Sequence, residues 1–252
     1  MSSPTLRIGS VPYLNAVPLT CGLERDCTFL PPSQLAAELH AGRLDAALVS
    51  VTEVLLRDGY DVLDGAAIAS DGPVASVFLA HREPLEQIGT VHLDPASCTS
   101  VNLLRVLLAE RGLQPEFLPL PDYVAATRFN NLLLIGNPAI EFRRAPHPHA
   151  LWDLGEAWRE LTGLPFVYAV WALRRGAPPE LRARLLAAKS AGLATLRQII
   201  RERTEYDLEF RSAYLGGNIR YELGNREKAG VARFAELLQT HTGRPVFLPR
   251  YV

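Results

Sequence analysis

Residues 74–80 read VASVFLA, and residues 166–173 read FVYAVWAL. Both stretches are apolar and of strand length, so each predicts a buried β-strand. The first follows a turn, SDGP at residues 70–73, and the second precedes a tail rich in helix formers. We expect these two strands to carry the chain between two lobes, which makes the region between them an inserted unit.

Short strands and helices alternate along the rest of the chain. Further strands are predicted at residues 6–9, 46–49, 66–69, 90–93, 116–118 and 132–135. Helices are predicted at residues 33–40, 52–57, 101–111, 154–162, 178–203, 206–214 and 226–242. Strand–helix alternation with short connections is typical of an α/β protein with largely parallel sheets.

The predicted fold class is therefore α/β, with two lobes, a ligand cleft at the hinge and helices at the C-terminus. One lobe comprises residues 1–79 and 169–252, and the other is the inserted stretch 80–168. Loops at the carboxyl ends of parallel strands meet at one edge of a sheet. We expect those loops to face the cleft and to carry the binding residues.

The composition is ordinary for a folded globular protein. The chain has 252 residues, of which 48% are hydrophobic and 21% charged, and its net charge is −1. Such a chain buries a core without disulfide or metal staples. A nearly neutral chain argues against a protein that gains its affinity from nucleic-acid phosphates. A small-molecule partner is therefore expected, and no nucleic acid.

The cysteines and the N-terminal stretch indicate a reducing compartment. Cys21, Cys27 and Cys98 are odd in number and irregularly spaced, so free thiols are expected rather than a disulfide framework. No Cys-x-x-Cys pair is present, which argues against a structural zinc site. Neither a basic region followed by a long apolar run nor an 18-residue apolar stretch occurs. We expect a cytoplasmic protein with no membrane partner.

A polar residue stands in the loop after the first predicted strand. The loop at residues 10–18 reads SVPYLNAVP and contains Asn15, whose amide can both donate and accept hydrogen bonds. Its position suits an α/β ligand site. Asparagine also satisfies the backbone of turns, so the spacing alone leaves both interpretations open.

Three hydroxyl residues, Ser97, Thr99 and Ser100, precede the helix predicted at residues 101–111. Backbone N–H groups at a helix start carry partial positive charge. The hydroxyls add donors without adding a counter-charge, so the segment predicts binding of a carboxylate or phosphate. The alternative is N-capping, which needs only one of the three hydroxyls.

Other neutral donors lie at predicted strand ends. Ser50 ends one strand, Ser76 lies in the first hinge strand, and Gly136 and Asn137 follow another strand. Glycine permits a ligand to approach the backbone closely. Each signal is weak by itself, but together they gather neutral donors at several strand ends.

Other chemistry has little support in the sequence. The glycine-rich nucleotide motifs and the Gly-x-Ser-x-Gly elbow are absent. His147 and His149 lie in the proline-rich loop APHPH, with no evident further metal ligands. A solvated loop is the favoured interpretation, and no metal or cofactor is expected.

Six stretches of the chain carry a resemblance to a known family. They run in order and read RIGSVPYLNAVPL, LVSVTEVLL, SDGPVASVFL, LDPASCTSVNLL, LLLIGNPAI and DLGEAWRELTGLPFVYAVWAL. On these motifs the chain resembles the chorismate dehydratases of the futalosine route to menaquinone. The resemblance implies a periplasmic-binding-protein-like (type II) fold used as a cytoplasmic enzyme. It also implies loss of water from chorismate, without a cofactor, to give 3-[(1-carboxyvinyl)oxy]benzoate.

The resemblance assigns roles to several residues. Asn15 matches the asparagine tied to activity, Ser76 the serine of the hinge motif, and Thr99 and Ser100 the hydroxyl pair before the helix. The chain departs from the family at Asn137, where the family usually has aspartate. If that position contacts ligand, asparagine adds a donor and removes a repulsive charge.

The residues fit the implied chemistry, and two other functions stay open. Chorismate carries two carboxylates, which neutral donors and a helix start could hold. One hypothesis is that a substrate carboxylate takes the ring proton while Asn15 holds the departing hydroxyl or the side-chain carboxylate. The alternatives are a non-catalytic solute-binding protein for small anions and the sister enzyme that forms 1,4-dihydroxy-6-naphthoate.

Overall fold

The computed structural model describes residues 6–95 and 98–252, which form two β-sheets flanked by helices. The strands, in chain order, are β1 (Ile8–Ser10), β2 (Cys27–Phe29), β3 (Ala46–Ser50), β4 (Tyr60–Ser70), β5 (Val77–His81), β6 (Thr90–Leu93), β7 (Glu116–Pro119), β8 (Asn131–Ile135), β9 (Ala150–Asp153), β10 (Phe166–Arg174) and β11 (Arg250–Tyr251).

Helices connect the strands and form the C-terminal tail. The α-helices are α1 (Pro32–His40), α2 (Val51–Leu56), α3 (Thr99–Glu110), α4 (Gly136–Arg144), α5 (Leu154–Thr162), α6 (Pro179–Ala194), α7 (Leu196–Glu202), α8 (Leu208–Ala213) and α9 (Asn225–Thr242). None of the helices in the described ranges is long and apolar enough to cross a membrane.

The chain builds one sheet, leaves it, and later returns. The first sheet has the strand order β11-β4-β10-β3-β1-β2, and the second has the order β7-β6-β8-β5-β9. The chain changes sheet over residues 71–76, here called the first crossing, and over residues 154–165, the second crossing. The lobe boundaries expected after residues 79 and 168 therefore fall inside β5 and β10, because each of these strands pairs within a single sheet.

Both sheets are mixed, so the expectation of largely parallel sheets is met only in part. Strand β10 runs antiparallel to β3 and β4, and β5 runs antiparallel to β8 and β9. The other pairs, β1 with β2 and β3, β6 with β7 and β8, and β4 with β11, are parallel. The reason is the direction of entry. A strand arriving from the other sheet starts where its neighbours end, as the pairing of Ala169 with Ser50 shows.

Two local features go beyond or against the sequence predictions. Gly136, Asn137 and Pro138 follow β8 directly and begin α4, since proline is tolerated in a first helical turn, where no backbone donor is needed. The long helix expected at residues 178–203 is divided between α6 and α7 at Thr195. The Thr195 hydroxyl donates to the Ala191 carbonyl at 2.8 Å, an i−4 bond that favours a bend in a helix.

An aromatic cluster attaches the C-terminal tail to the second crossing. Trp158 of α5, Phe166 of β10 and Phe234 of α9 pack edge to face, with ring centroids 5.0–5.9 Å apart. All three side chains are fully buried. Gly230 allows the close approach of α9, because a Cβ there would lie 2.2 Å from the Pro165 carbonyl oxygen. The tail is therefore part of the main core.

The Asp153 carboxylate joins the two crossings. It is buried and accepts the N–H groups of Val74 and Ala75 in the first crossing, at 2.8–3.2 Å. It also caps α5, accepting the N–H groups of Gly155 and Glu156 at 2.9 and 3.2 Å. Ala75 has a φ of +65°, which costs a non-glycine residue about 1–2 kcal/mol. The bond from its N–H group helps to hold that conformation.

We predict that Asp153→Ala lowers the free energy of unfolding by about 2–4 kcal/mol, because buried N–H groups lose their acceptor and α5 loses its cap. Urea denaturation followed by circular dichroism measures the change. Asp207→Ala is the matched control, since Asp207 caps α8 at an exposed site and should cost clearly less. Equal losses in the two variants would contradict the role of Asp153 at the crossings.

Candidate functional site

A cavity of about 100 Å³ lies where strand ends of the two sheets meet. Both sheets contribute to it, since its wall includes the end of β3, the start of β10, the end of β8 and the starts of α3 and α4. Six residues expected from the sequence to bind a ligand line it: Asn15, Ser50, Ser76, Thr99, Ser100 and Gly136. Residues up to 121 positions apart in sequence are thus brought into one site.

Two expected residues do not join this group. Asn137 is partly buried in the first turn of α4 but is not part of the cavity wall. Ser97 lies outside the described residues. Gly136 contributes its backbone, with a φ of +58° that favours glycine. Its N–H group donates to the Ser76 carbonyl at 2.8 Å, which ties the start of α4 to the first crossing.

Asn15 is carried by a short 3-10 helix, Leu14–Leu19. Helix α6 packs directly on this element, and Gly192 makes that possible, because a Cβ there would lie 2.0 Å from the Pro18 carbonyl oxygen. The Oδ1 atom of Asn15 is buried and has no hydrogen-bond partner within the described part of the chain. Asn15 therefore keeps an acceptor available for a ligand.

The Thr99 hydroxyl bridges the two halves of the site. Thr99 begins α3, which follows a strand of the second sheet, and its Oγ1 atom makes a hydrogen bond with Ser50 Oγ at the end of β3. It also donates to the Tyr168 carbonyl at 3.3 Å and accepts the Thr52 N–H group at 3.3 Å. Thr99 and Ser50 thus bind each other as well as lining the cavity.

The start of α3 has no side-chain cap among the described residues. Cys98 occupies the N-cap position in a helical conformation and makes no capping hydrogen bond. The Thr99 and Ser100 hydroxyls are buried in the first turn, so they lie within the helix rather than at its cap. The Thr99 hydroxyl bonds to Ser50, Thr52 and Tyr168, so this hydroxyl does not cap the helix. A helix start in a cavity wall favours an anionic ligand.

The described cavity wall contains no Asp, Glu, His, Lys or Arg side chain. Its titratable groups are Tyr13, Cys98 and Tyr168. Burial raises the pKa of Tyr168 well above its usual value, and the nearby Asp153 charge adds to this effect. Burial, and to a lesser extent the Asp94 charge, raises the pKa of Tyr13. Burial also raises the pKa of the Cys98 thiol. These groups are neutral at physiological pH, so they serve as hydrogen-bonding groups rather than as bases.

The sequence profile of a family described as menaquinone biosynthesis matches residues 6–240 of the chain. The chain belongs to this family. It is 33% identical over 240 residues to a protein named chorismate dehydratase from Thermus thermophilus, covering 86% of this chain and 88% of that protein. A chorismate dehydratase from Campylobacter jejuni is 25% identical over 228 residues, covering 89% of each chain.

Solved structures confirm the fold of this menaquinone biosynthesis protein. A crystal structure of a protein from Archaeoglobus fulgidus matches with a TM-score of 0.74 at 15% identity, over 95% of this chain and 98% of that chain. The alkanesulfonate-binding protein of Xanthomonas axonopodis also gives a TM-score of 0.74, at 16% identity, over 100% and 99% of the two chains. The predicted periplasmic-binding-protein-like fold is therefore confirmed.

Sequence reasoning missed three tyrosines at the site of this menaquinone biosynthesis protein. Tyr13 and Tyr168 line the cavity. Tyr214 lies behind the wall, fully buried, and donates its hydroxyl proton to Ser76 Oγ at 2.9 Å. Tyr13 stands two residues before Asn15, so the loop that carries Asn15 could have indicated Tyr13 as a site residue. Tyr214 is 138 residues from Ser76, and nothing local in the sequence indicates their contact.

The paired histidines contact neighbouring protein groups. His149 is buried, which corrects the expectation of a fully solvated loop, and its Nε2 atom lies 2.7 Å from the Phe129 carbonyl oxygen. His147 stacks on Phe142 with ring centroids 4.7 Å apart. Over residues 6–95 and 98–252, no group of three His, Cys, Asp or Glu side chains is placed to hold a metal ion.

Proposed function

We propose that this menaquinone biosynthesis protein is a chorismate dehydratase, a hydro-lyase that converts chorismate to 3-[(1-carboxyvinyl)oxy]benzoate and water. The observation that carries the proposal is the cavity itself. It unites Asn15, Ser76, Thr99 and Ser100, the residues that the sequence resemblance implies for this activity. The named relative from Thermus thermophilus supports the same reaction.

The cavity suits a small dicarboxylate. The start of α3 supplies partial positive charge, and Ser76 and Ser100 supply hydroxyl donors, with no acidic side chain in the described wall. Carboxylates accept such bonds without any formal cation. We propose that one carboxylate of chorismate lies at this helix start. We propose that Asn137 affects substrate binding only indirectly, because it follows Gly136 in the chain but does not line the cavity.

The chemistry needs removal of a ring proton and departure of the neighbouring hydroxyl. The described wall supplies no side chain whose pKa suits it to take the proton as a general base. A carboxylate of the bound substrate is our proposed acceptor, with the departing hydroxyl leaving as water. The ring becomes aromatic, so the step is strongly downhill and orientation is the main contribution of the protein. Asn15 holds either the departing hydroxyl or the side-chain carboxylate.

The direct test is to incubate the purified protein with chorismate and follow the products by absorbance and chromatography. Consumption of chorismate with formation of the enolpyruvyl benzoate is expected. Binding of small anions without turnover would instead identify a solute-binding protein. Formation of 1,4-dihydroxy-6-naphthoate from that enzyme's own substrate would identify the sister activity. The cytoplasmic location expected from the sequence stays a prediction, which fractionation of the native cells would test.

Asn15→Asp is expected to lower turnover at least tenfold without unfolding the protein. The change is nearly isosteric, but it exchanges an amide donor for a carboxylate beside an anionic substrate. The lost hydrogen bond and the repulsion together cost about 1.5–3 kcal/mol. Steady-state kinetics measure the effect. Asn225→Asp, at an exposed position that begins α9, is the control and should keep full turnover. Normal turnover in Asn15→Asp would remove Asn15 from the mechanism.

We further propose that the two sheets belong to two lobes that pivot about the crossings. Asn15 and Ser50 lie on the side of the first sheet, whereas Thr99, Ser100 and Gly136 lie on the side of the second. A ligand that touches both sets binds the closed arrangement better, and that difference in affinity shifts the population. Closure also excludes water that competes for the neutral donors.

Small-angle scattering should therefore show a slightly smaller radius of gyration when the benzoate product is added. Distance labels placed on β2 and β7, each an edge strand of its own sheet, report the same closure. Unchanged distances, with product binding verified by calorimetry, would contradict the pivot.

A further inference from the structure

Tyr214 is a buried polar residue that the reaction described above does not use. It begins a π-helical turn, Tyr214–Asn218, in the C-terminal tail. Its side chain is 2% exposed, and its hydroxyl group donates to Ser76 Oγ at 2.9 Å. Its ring stacks on Phe210 with centroids 5.3 Å apart, which fixes its orientation. A rigid phenol thus touches a residue of the cavity wall from behind.

Asn15 lines the same cavity as Ser76. Its Oδ1 atom is buried and has no hydrogen-bond partner in the described chain. Tyr214 has one proton, and it is given to Ser76.

The bond therefore runs from Tyr214 to Ser76. Ser76 Oγ accepts the Tyr214 proton with one of its two lone pairs, and its own proton is left for a group in the cavity. Burial raises the pKa of Tyr214 to about 12, so the phenol keeps its proton at neutral pH.

We propose that Tyr214 is a positioning residue, which orients Ser76 as a donor toward the substrate. The proposal deepens the dehydratase function and rests on it.

The chain offers a matched control for the loss of this hydroxyl. Tyr221 is also buried, at 6% exposure, lies in the same tail and interacts electrostatically with Tyr214. The Tyr221 hydroxyl has no hydrogen-bond partner in the described chain. Tyr221→Phe thus deletes a nearby buried hydroxyl that contacts neither Ser76 nor Asn15.

The experiment compares wild type, Tyr214→Phe, Tyr221→Phe, Ser76→Ala and the double variant Tyr214→Phe/Ser76→Ala in steady-state turnover of chorismate. We expect kcat to fall about 10- to 100-fold in Tyr214→Phe with KM within about threefold of wild type, since misoriented groups slow the reaction more than they weaken binding. Tyr221→Phe should stay within about twofold of wild type. Adding Tyr214→Phe to Ser76→Ala should cost clearly less than it costs alone, because the two residues act through one bond.

Several outcomes would overturn the inference. They are a wild-type kcat in Tyr214→Phe, equal losses in both tyrosine variants, and fully multiplicative losses in the double variant. Melting temperatures show whether each variant is folded. If Tyr214→Phe is not folded, Ser76→Ala removes the same hydrogen bond while Tyr214 stays intact. A wild-type kcat in Ser76→Ala then overturns the proposal. Absence of turnover in the wild-type protein overturns the dehydratase function itself, which separates the two failures.

Discussion

The architecture depends on one buried carboxylate. Asp153 accepts backbone N–H groups from both crossings, so the two places where the chain changes sheet are fixed to each other. Gly155 allows this contact, because a Cβ there would lie 2.5 Å from the Gly72 carbonyl oxygen. Ser76 follows directly on the strained Ala75. The bonds that hold the crossings together therefore also place a residue of the cavity wall.

The site works with neutral groups, and its surroundings explain why. Burial keeps the cavity tyrosines protonated and leaves hydroxyls, amides and a helix start as the groups that meet a ligand. In a site with little water, such groups hold an anion well without a counter-ion. The Thr99 hydroxyl bonds to Ser50 and to the Tyr168 carbonyl, so it holds the two sides of the cavity together.

The C-terminal tail completes the site rather than merely covering the first sheet. Gly192 of α6 lets that helix support the element carrying Asn15, and Gly230 of α9 allows packing against the second crossing. Tyr214 reaches Ser76 from the same tail. The cavity wall comes from residues 11–169, yet it depends on the tail, since α6 supports the element that bears Asn15 and Tyr214 bonds to Ser76.

The sequence by itself determined the α/β class, most strands and helices, and the set of neutral residues from Asn15 to Gly136 that line the cavity, because hydrophobic periodicity and strand-end positions are local signals. Only the tertiary structure decided the antiparallel direction of β5 and β10, the absence of Asn137 from the wall, and the bonds of Thr99 and Tyr214. The physical reason is that these features depend on residues far apart in the sequence. Pairing direction depends on where a strand enters its sheet, and a hydrogen bond between residues 138 apart leaves no trace in the sequence around either partner.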